Sequence, residues 1–399
     1  MKYQFPEGFL WGASTSAHQV EGNNLNDWTL WEKKVAPLLA QKHHQSVENF
    51  LSGLACNHYH LFSWDISLLH RLGLNAYRFS LEWSRIEPEE GEFNQEVISH
   101  YQRVFECLKT KGITPFVTLW HWTLPCWVAE KGGWENQKTI EFFLRYVDKV
   151  VSLFQNDVCF WLTLNEPEIY AFYSYLKGRW PPQKRSWLAF RRVLHHLILA
   201  HRRSYALIKK HQPNAKVGVA KNNVYFETPS FNPYDRFLCY SVDYFWNHYF
   251  LQKIGKRQDF IGLNYYFHNR IHHRLNQNEN KIVSDIGWEL YPEGIYPVLM
   301  GLKRYRLPIY ITENGLADVQ DRYRSWYIKE TLKAIWQGIQ KGVEVKGYFY
   351  WSLLDNFEWD YGFGPRFGLI AVDYQTMKRR IRPSAYLYGQ IARENGFEE

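Results

Sequence analysis

The sequence predicts an α/β protein folded as a single (β/α)8 TIM barrel that spans residues 1–399. Short runs rich in β-branched and aromatic residues alternate with longer segments of helical periodicity, as expected of repeated βα units around a parallel sheet. The runs number eight, which favours closure into a barrel. No low-complexity linker or change in composition divides the chain, and barrels of this type reach such lengths with long loops.

The eight predicted strands are Phe9–Thr15, Asn75–Trp83, Thr114–Trp122, Cys159–Asn165, Lys216–Val224, Asp259–Tyr266, Pro308–Glu313 and Val345–Ser352. The predicted helices between them are Leu61–Leu72, Gln95–Lys111, Thr139–Phe154, Trp187–His211, Gly294–Arg304 and Arg322–Lys341. Asn232–Gly255 is also predicted to be helical, although its many aromatic residues blur the period. In this architecture the loops after the strands build the active site, so functional residues are expected at the C-terminal strand ends.

Composition narrows the class of protein. The formal charge of +8 comes from scattered Lys and Arg, which indicates a solvated surface rather than a nucleic-acid site. The five cysteines are an odd number without CxxC or CxxxC spacing, so neither a disulfide framework nor a zinc site is expected. The N-terminus lacks a signal-peptide pattern and no long apolar run occurs, so a cytoplasmic protein without a membrane partner is expected.

No cofactor or metal is predicted. The adjacent pairs His43–His44 and His272–His273 are the nearest approach to a metal motif. Side chains of neighbouring residues diverge too readily to make such a pair a ligand set on its own.

Two glutamates close predicted strands and could face each other across the barrel mouth. Glu166 ends the fourth run in Thr163–Pro167, and Glu313 ends the seventh in Ile311–Gly315. Either glutamate alone is more simply a surface or ion-paired residue. Together they fit the carboxyl pair of a glycosidase, where a separation of about 5 to 5.5 Å gives retention and about 6.5 to 9.5 Å gives inversion. The sequence does not fix that distance.

Ordered motifs along essentially the whole chain resemble glycoside hydrolase family 1, the β-glucosidase and β-galactosidase family. They are Phe9–Gly22, Asn75–Ser80, Leu119–Trp122, Thr163–Pro167, Ile311–Gly315 and Trp351–Trp359. The resemblance implies a retaining, exo-acting β-glycosidase, most simply a β-glucosidase with β-galactosidase or β-fucosidase activity as further options. It assigns Glu166 as acid/base and Glu313 as nucleophile.

The same resemblance implies roles for residues around these two. Arg78, Tyr266 and Asn264 would support catalysis. The sugar would be held by Gln19, His121, Asn165, Trp351, Glu358, Trp359 and Phe367. Trp127, Glu168, Asn223 and Trp288 are candidates for the outer subsite, on the leaving-group side. The expected partner is a small β-glycoside or short oligosaccharide, and no oligomeric state is indicated.

The sequence departs from the family pattern in two respects. Glu168 stands where the family often has an aromatic, so it would either disfavour aryl leaving groups or lie on the surface. The segments Asn24–Gln45 and Phe231–Gln258 are short for the family, which predicts a more open entrance.

Two other functions stay open. A 6-phospho-β-glycosidase would have serine where Glu358 stands, and a carboxylate there would repel phosphate. A barrel that binds sugars without cleaving them would usually have lost a catalytic carboxylate, and both are present.

Overall fold

The computed structural model describes residues 1–399 and confirms the closed barrel, in which eight parallel strands pair in chain order and the last pairs with the first. The strands are β1 (Leu10–Ser14), β2 (Ala76–Ser80), β3 (Thr114–Trp120), β4 (Phe160–Asn165), β5 (Lys216–Glu227), β6 (Phe260–Arg270), β7 (Ile309–Asn314) and β8 (Val345–Trp351). Each lies at a predicted run, and β5 and β6 continue beyond the prediction into the mouth.

The longer helices are α1 (Asp27–His43), α2 (His58–Arg71), α3 (Gln95–Thr110), α4 (Lys138–Phe154), α5 (Trp187–His211), α6 (Pro233–Asp243), α7 (Ile295–Leu302), α8 (Arg324–Gln340) and α9 (Pro383–Glu394). Short helices cover Ala17–Val20, Trp83–Ile86, Cys126–Glu130, Pro167–Ala171 and Tyr249–Ile254. The segment predicted as one helix after β5 is α6, a π-helical turn at Tyr244–His248 and the helix Tyr249–Ile254. None of the helices is long and apolar enough to cross a bilayer.

Two helices, α1 and α9, are absent from the sequence prediction. The start of α1 is fixed by a capping box, in which the Asn26 side chain accepts from the Thr29 N–H and the Thr29 hydroxyl accepts from the Asn26 N–H. Its interior carries Pro37. The start of this helix is therefore defined by its capping residues. The helix lacks a clear apolar stripe, so the periodicity of hydrophobic residues does not predict it.

The barrel interior is filled by one small cluster of side chains. It consists of Ala76, Phe116, Leu162, Ala220, Phe260 and Phe349. Glycines make room for the rings: a Cβ on Gly12 would meet the Phe349 ring at 2.5 Å, and one on Gly218 would meet the Phe260 ring at 2.8 Å. The interior below the mouth is thus a packed floor rather than a channel.

Irregular strand pairing turns polar residues into the mouth. The register shifts between Leu162 and Asn165 where β4 pairs with β5, and between Ile311 and Asn314 where β7 pairs with β8. Such bulges occur next to active sites because they re-aim a side chain. Here they bring Asn165 and Glu313 inward from strand positions that strict alternation would not give.

Candidate active site

Glu166 and Glu313 both lie buried in the mouth and belong to one hydrogen-bonded network. Asn264, at the end of β6, donates its amide N–H to Glu166 Oε1 at 2.8 Å. The same asparagine is the register partner of Glu313 on β7. The predicted juxtaposition of the two carboxyl groups is therefore present in the structure.

Glu313 is surrounded by donors. Arg78, from β2, is fully buried and forms an ion pair with Oε1 of Glu313. The Tyr266 hydroxyl donates to Oε2 at 2.8 Å. Burial and then the charge of Glu313 raise the pKa of Tyr266 well above its usual value, so the phenol keeps its proton. A permanent cation and a hydroxyl donor both match a carboxylate.

Glu166 has a different environment, without a cation in contact. Its hydrogen bonds come from the amides of Asn264 and Asn222, the latter at 3.2 Å. Burial, reinforced by the negative charge of Glu313, raises the pKa of Glu166 to about 8. At neutral pH one carboxyl of the pair therefore holds a proton.

Asn165 fixes the orientation of His121. Its Oδ1 accepts from Nη2 of Arg78 at 2.7 Å, and because an arginine only donates, Nδ2 must face His121 Nε2, which is 3.0 Å away. Burial, then the charge of Arg78, holds the pKa of His121 well below its usual value. The neutral ring thus carries its proton on Nδ1, which is buried and has no partner within the protein. This N–H is available to a bound hydroxyl group.

Gln19 and Glu358 form a second polar group. Gln19 donates from Nε2 to the carbonyl of Phe357 at 2.9 Å and to Glu358 Oε2 at 3.3 Å. Ser16 donates to Gln19 Oε1 at 2.7 Å. Burial and the charge of Glu313 raise the pKa of Glu358 to about 8.

Aromatic rings enclose these polar groups. The imidazole of His121 lies nearly parallel to Trp351 and to Trp359, with ring centroids 6.0 Å apart in both cases. Trp351 and Phe367 pack in one cluster, which Tyr266 and Trp288 extend on its outer side. Polar groups within an aromatic wall are the usual lining of a sugar pocket. Trp288 is half-buried and packs against Tyr266, and its assignment to the outer subsite stays a prediction.

Three outer-subsite predictions, those for Trp127, Asn223 and Glu168, are wrong. Trp127 packs against Trp83 and Phe142 and donates to the Glu87 carbonyl, so its ring is committed to the helix layer. Asn223 turns outward from β5.

On the outward side of β5, Asn223 lines a separate cavity of about 380 Å³ between β5, α6 and α7. The side chain from this strand that reaches the acid is Asn222, and Trp246 donates to its Oδ1 at 3.2 Å. Alternation with the interior Ala220 was the signal that could have identified Asn222.

Glu168 is neither on the surface nor in the leaving-group space. It is buried on the short helix after β4, with Oε1 3.1 Å from Nζ of the fully buried Lys221. The lysine also donates to the carbonyl oxygens of Asn222 and Trp246. The ion pair therefore joins the segment that carries Glu166 to Asn222 and Trp246.

A (β/α)8 barrel with two unlike, buried carboxyls at its strand ends, inside a pocket of amides and tryptophans, defines an enzyme that acts on O-glycosyl bonds. The family model "Glycosyl hydrolase family 1" matches residues 1–250 and 236–397. The chain belongs to glycosyl hydrolase family 1.

Relatives cover the full chain. β-Glucosidase A of Thermotoga maritima is 38% identical over 99% of both chains, and a 1,4-β-D-glucan glucohydrolase of Thermotoga neapolitana is 36% identical over 99% of this chain and 100% of its own. Among solved structures, a β-glycosidase from Pyrococcus horikoshii has a TM-score of 0.93 at 39% identity, covering 100% of this chain and 97% of that one. The T. maritima β-glucosidase in complex with glucoimidazole has a TM-score of 0.91 at 34% identity, over 99% and 100%.

The chain is shorter than these relatives. Its alignment with the T. maritima enzyme spans 452 positions, so at least 53 of them (452 minus 399) are gaps in this chain. The two pieces of the family match meet between residues 236 and 250, inside the segment predicted to be short. The outward-facing cavity beside Asn223 lies against the same segment.

Proposed function

We propose that this protein is a retaining, exo-acting β-glucosidase that works by double displacement. In the first step Glu313 attacks the anomeric carbon and the bond to the leaving oxygen breaks as Glu166 gives that oxygen its proton. In the second step Glu166, now a carboxylate, takes a proton from water, which displaces Glu313 from the glycosyl-enzyme. The observation that carries the proposal is the unlike environment of two carboxyls in one network: Arg78 forms an ion pair with Glu313, whereas Glu166 contacts only amides and burial raises its pKa.

The glycone is proposed to lie between His121 and Glu358, with Trp351 under its ring. The unpartnered Nδ1–H of His121 supplies a donor, Glu358 supplies carboxyl oxygens, and Asn165 stands next to the catalytic pair. Desolvated hydroxyl groups cost about 1 to 3 kcal/mol each when unpaired, so such partners are required for tight binding. Glucose is the proposed sugar because the T. maritima and T. neapolitana relatives are named for glucosides and glucans. Galactosides and fucosides are proposed as secondary substrates.

A 6-phospho-glycoside is a poorer substrate in this proposal. Arg78 is already paired with Glu313, and Glu166, Glu313 and Glu358 place three carboxyl groups around the sugar position. A phosphate dianion would therefore meet these carboxyl groups without an unpaired cation from the catalytic network to bind it. p-Nitrophenyl β-glucoside should therefore be hydrolysed much faster than its 6-phosphate, and the reverse order would favour the phospho-glycosidase.

Azide rescue tests the two roles separately. Glu313→Gly and Glu166→Ala should each lose nearly all activity on an activated aryl glucoside, and sodium azide should restore turnover in both. Azide replaces the nucleophile in Glu313→Gly, so the product should be the α-glucosyl azide. It attacks the glycosyl-enzyme in Glu166→Ala, so that product should be the β-glucosyl azide.

Glu358→Gln is the matched control, because it alters a third glutamate of the same pocket and should lose activity without azide rescue. Wild-type rates in Glu313→Gly or Glu166→Ala without azide would refute the proposal. Identical azide anomers from both variants would refute the division of roles.

We also propose a cytoplasmic location, supported by five cysteines that form no disulfide. Fractionation of the source cells checks this, and recovery of the enzyme outside the cytoplasm would contradict it.

A further inference from the structure

The two adjacent histidine pairs of this chain differ in their surroundings. His43 and His44 end helix α1 without a nearby carboxylate in a shared cluster. His272 and His273, just after β6, instead turn both imidazoles toward Asp235 on α6, with ring centroids 4.5 Å apart. The expectation that neighbouring histidines diverge is therefore wrong for this pair.

The spacing around Asp235 is unlike that of a hydrogen bond. Nδ1 of His272 is 3.6 Å from Oδ2, and Nδ1 of His273 is 3.6 Å from Oδ1. The other histidine–carboxylate pairs in the chain are 2.7 to 3.4 Å apart. Ligand atoms bound to zinc at about 2.0 to 2.2 Å in a tetrahedral site are about 3.3 to 3.6 Å apart. The two distances run to different oxygens of Asp235, and one ligand atom from each of the three residues lies within 4.8 Å of the others, so a small movement of the imidazoles would bring all three to one ion.

Asp235 is positioned for this role. Its side chain is completely buried, and Oδ2 has no hydrogen-bond partner. Oδ1 accepts the backbone N–H of His273 at 2.8 Å, which fixes the carboxylate relative to the histidine loop. A buried carboxylate oxygen without a partner costs free energy unless a donor or cation reaches it.

Helix α6 has little else to hold it. Asp235 is its one buried residue, whereas Phe237 and Tyr240 are 70% and 71% exposed. Its apolar residues Leu238 and Val242 are only half-buried, and a short helix with no fully buried apolar residue is marginal in water. The helix belongs to the shortened segment after β5, and it leads into the turn that carries Trp246. An attachment through Asp235 would therefore stabilise this segment where a core does not.

We propose that Asp235, His272 and His273 bind one divalent transition-metal ion of the zinc type, with water completing the coordination, and that the ion clamps α6 to the loop after β6. Imidazole and carboxylate ligands suit Zn²⁺, Ni²⁺ and Cu²⁺ more than Mg²⁺ or Ca²⁺. The ion has no part in the hydrolytic chemistry, which uses residues outside this cluster.

The test is calorimetric titration of ZnCl2 into the full-length, tag-free protein after removal of metal with a chelator. Wild type should bind one equivalent, and MgCl2 should give no such binding. Asp235→Asn and the double variant His272→Ala/His273→Ala should each weaken Zn²⁺ binding by at least about 10-fold. The matched control His43→Ala/His44→Ala removes the other pair and should bind as wild type does.

Hydrogen exchange gives a second readout. Zn²⁺ should slow amide exchange in α6 in wild type and in the control variant, but not in Asp235→Asn. Activity of each variant on a chromogenic glucoside should match wild type, which shows that it is folded. The proposal is overturned if one-equivalent binding is absent, if it persists unchanged in Asp235→Asn, or if the His43/His44 control loses it equally.

Discussion

The two sides of the pocket are built differently. The glycone side lies at the ends of β1, β3 and β8, where Gln19, His121 and Trp351 are all less than 5% exposed, Gln19 donates to the Phe357 carbonyl, and the His121 ring lies nearly parallel to Trp351. The leaving-group side lies at the ends of β4 to β6, where Asn222, Trp246 and Trp288 are only partly buried. Behind it stands α6, which buries one residue. In the proposed function, one sugar ring would therefore meet a fully buried wall, whereas the leaving group would meet half-buried side chains next to a shortened segment.

The largest loss of activity is expected from a substitution on the glycone side. Glu358→Leu removes hydrogen bonds to sugar hydroxyls from a charged group, each worth about 1.5 to 3 kcal/mol. For two such bonds, kcat/KM on p-nitrophenyl β-glucoside should fall by about 10²- to 10⁴-fold. Circular dichroism confirms folding, and a loss below threefold would mean that this wall does not bind the sugar.

On the other side, Lys221→Met should act mainly on stability. It leaves Glu168 buried and unpaired, a change that costs about 3 to 5 kcal/mol of unfolding free energy. The double variant Glu168→Leu/Lys221→Met should recover most of that loss in urea denaturation, because neither charge then remains. Equal stability of wild type and Lys221→Met would show that the pair does not join these segments.

The pH dependence sharpens the distinction between the two carboxyls. Glu166 must be protonated to act as acid, so kcat/KM should fall as pH rises through about 8. The charge of Glu313 raises the pKa of Glu166, and trapping Glu313 as a 2-fluoroglucosyl ester removes that charge. The pKa of Glu166 should therefore drop in the trapped enzyme, as measured by NMR of ¹³C-labelled glutamate. An unchanged pKa of Glu166 would show that the charge of Glu313 does not influence it.

The smallest effect is expected on the outer face of α6. Phe237→Ser and Tyr240→Ser change side chains that are largely exposed, so the free energy of unfolding should shift by no more than about 0.5 kcal/mol. Thermal or urea unfolding measures this. A loss of several kcal/mol would show that these rings are packed, and the leaving-group side would then be as rigid as the glycone side.

The sequence predicts the glycone side better than the leaving-group side. All eight strands follow from the alternation of short and long segments, and the places of Glu166, Glu313, Arg78 and Tyr266 along the chain follow from strand ends and motifs. The sequence points to Asn223 rather than Asn222 because the alternation along β5 can be assigned to inside or outside only once Ala220 is known to lie in the barrel interior. The register shifts near Asn165 and Glu313 are set by neighbouring strands, which local sequence does not encode.

The ion-pair partner of Glu168 cannot be predicted from the sequence either. Lys221 is 53 positions away (221 minus 168), and only the fold brings the two charges together below the mouth. The same holds for Asp235, which meets His272 and His273 from another element. Long-range pairs of this kind depend on tertiary packing rather than on any local pattern.

The most direct test of the central claim is the anomer that is released first. ¹H NMR of β-glucoside hydrolysis, recorded before mutarotation, should show β-glucose as the initial product, because two displacements at the anomeric carbon restore its configuration. Initial α-glucose would mean a single displacement by water, and Glu313 would then not be the nucleophile.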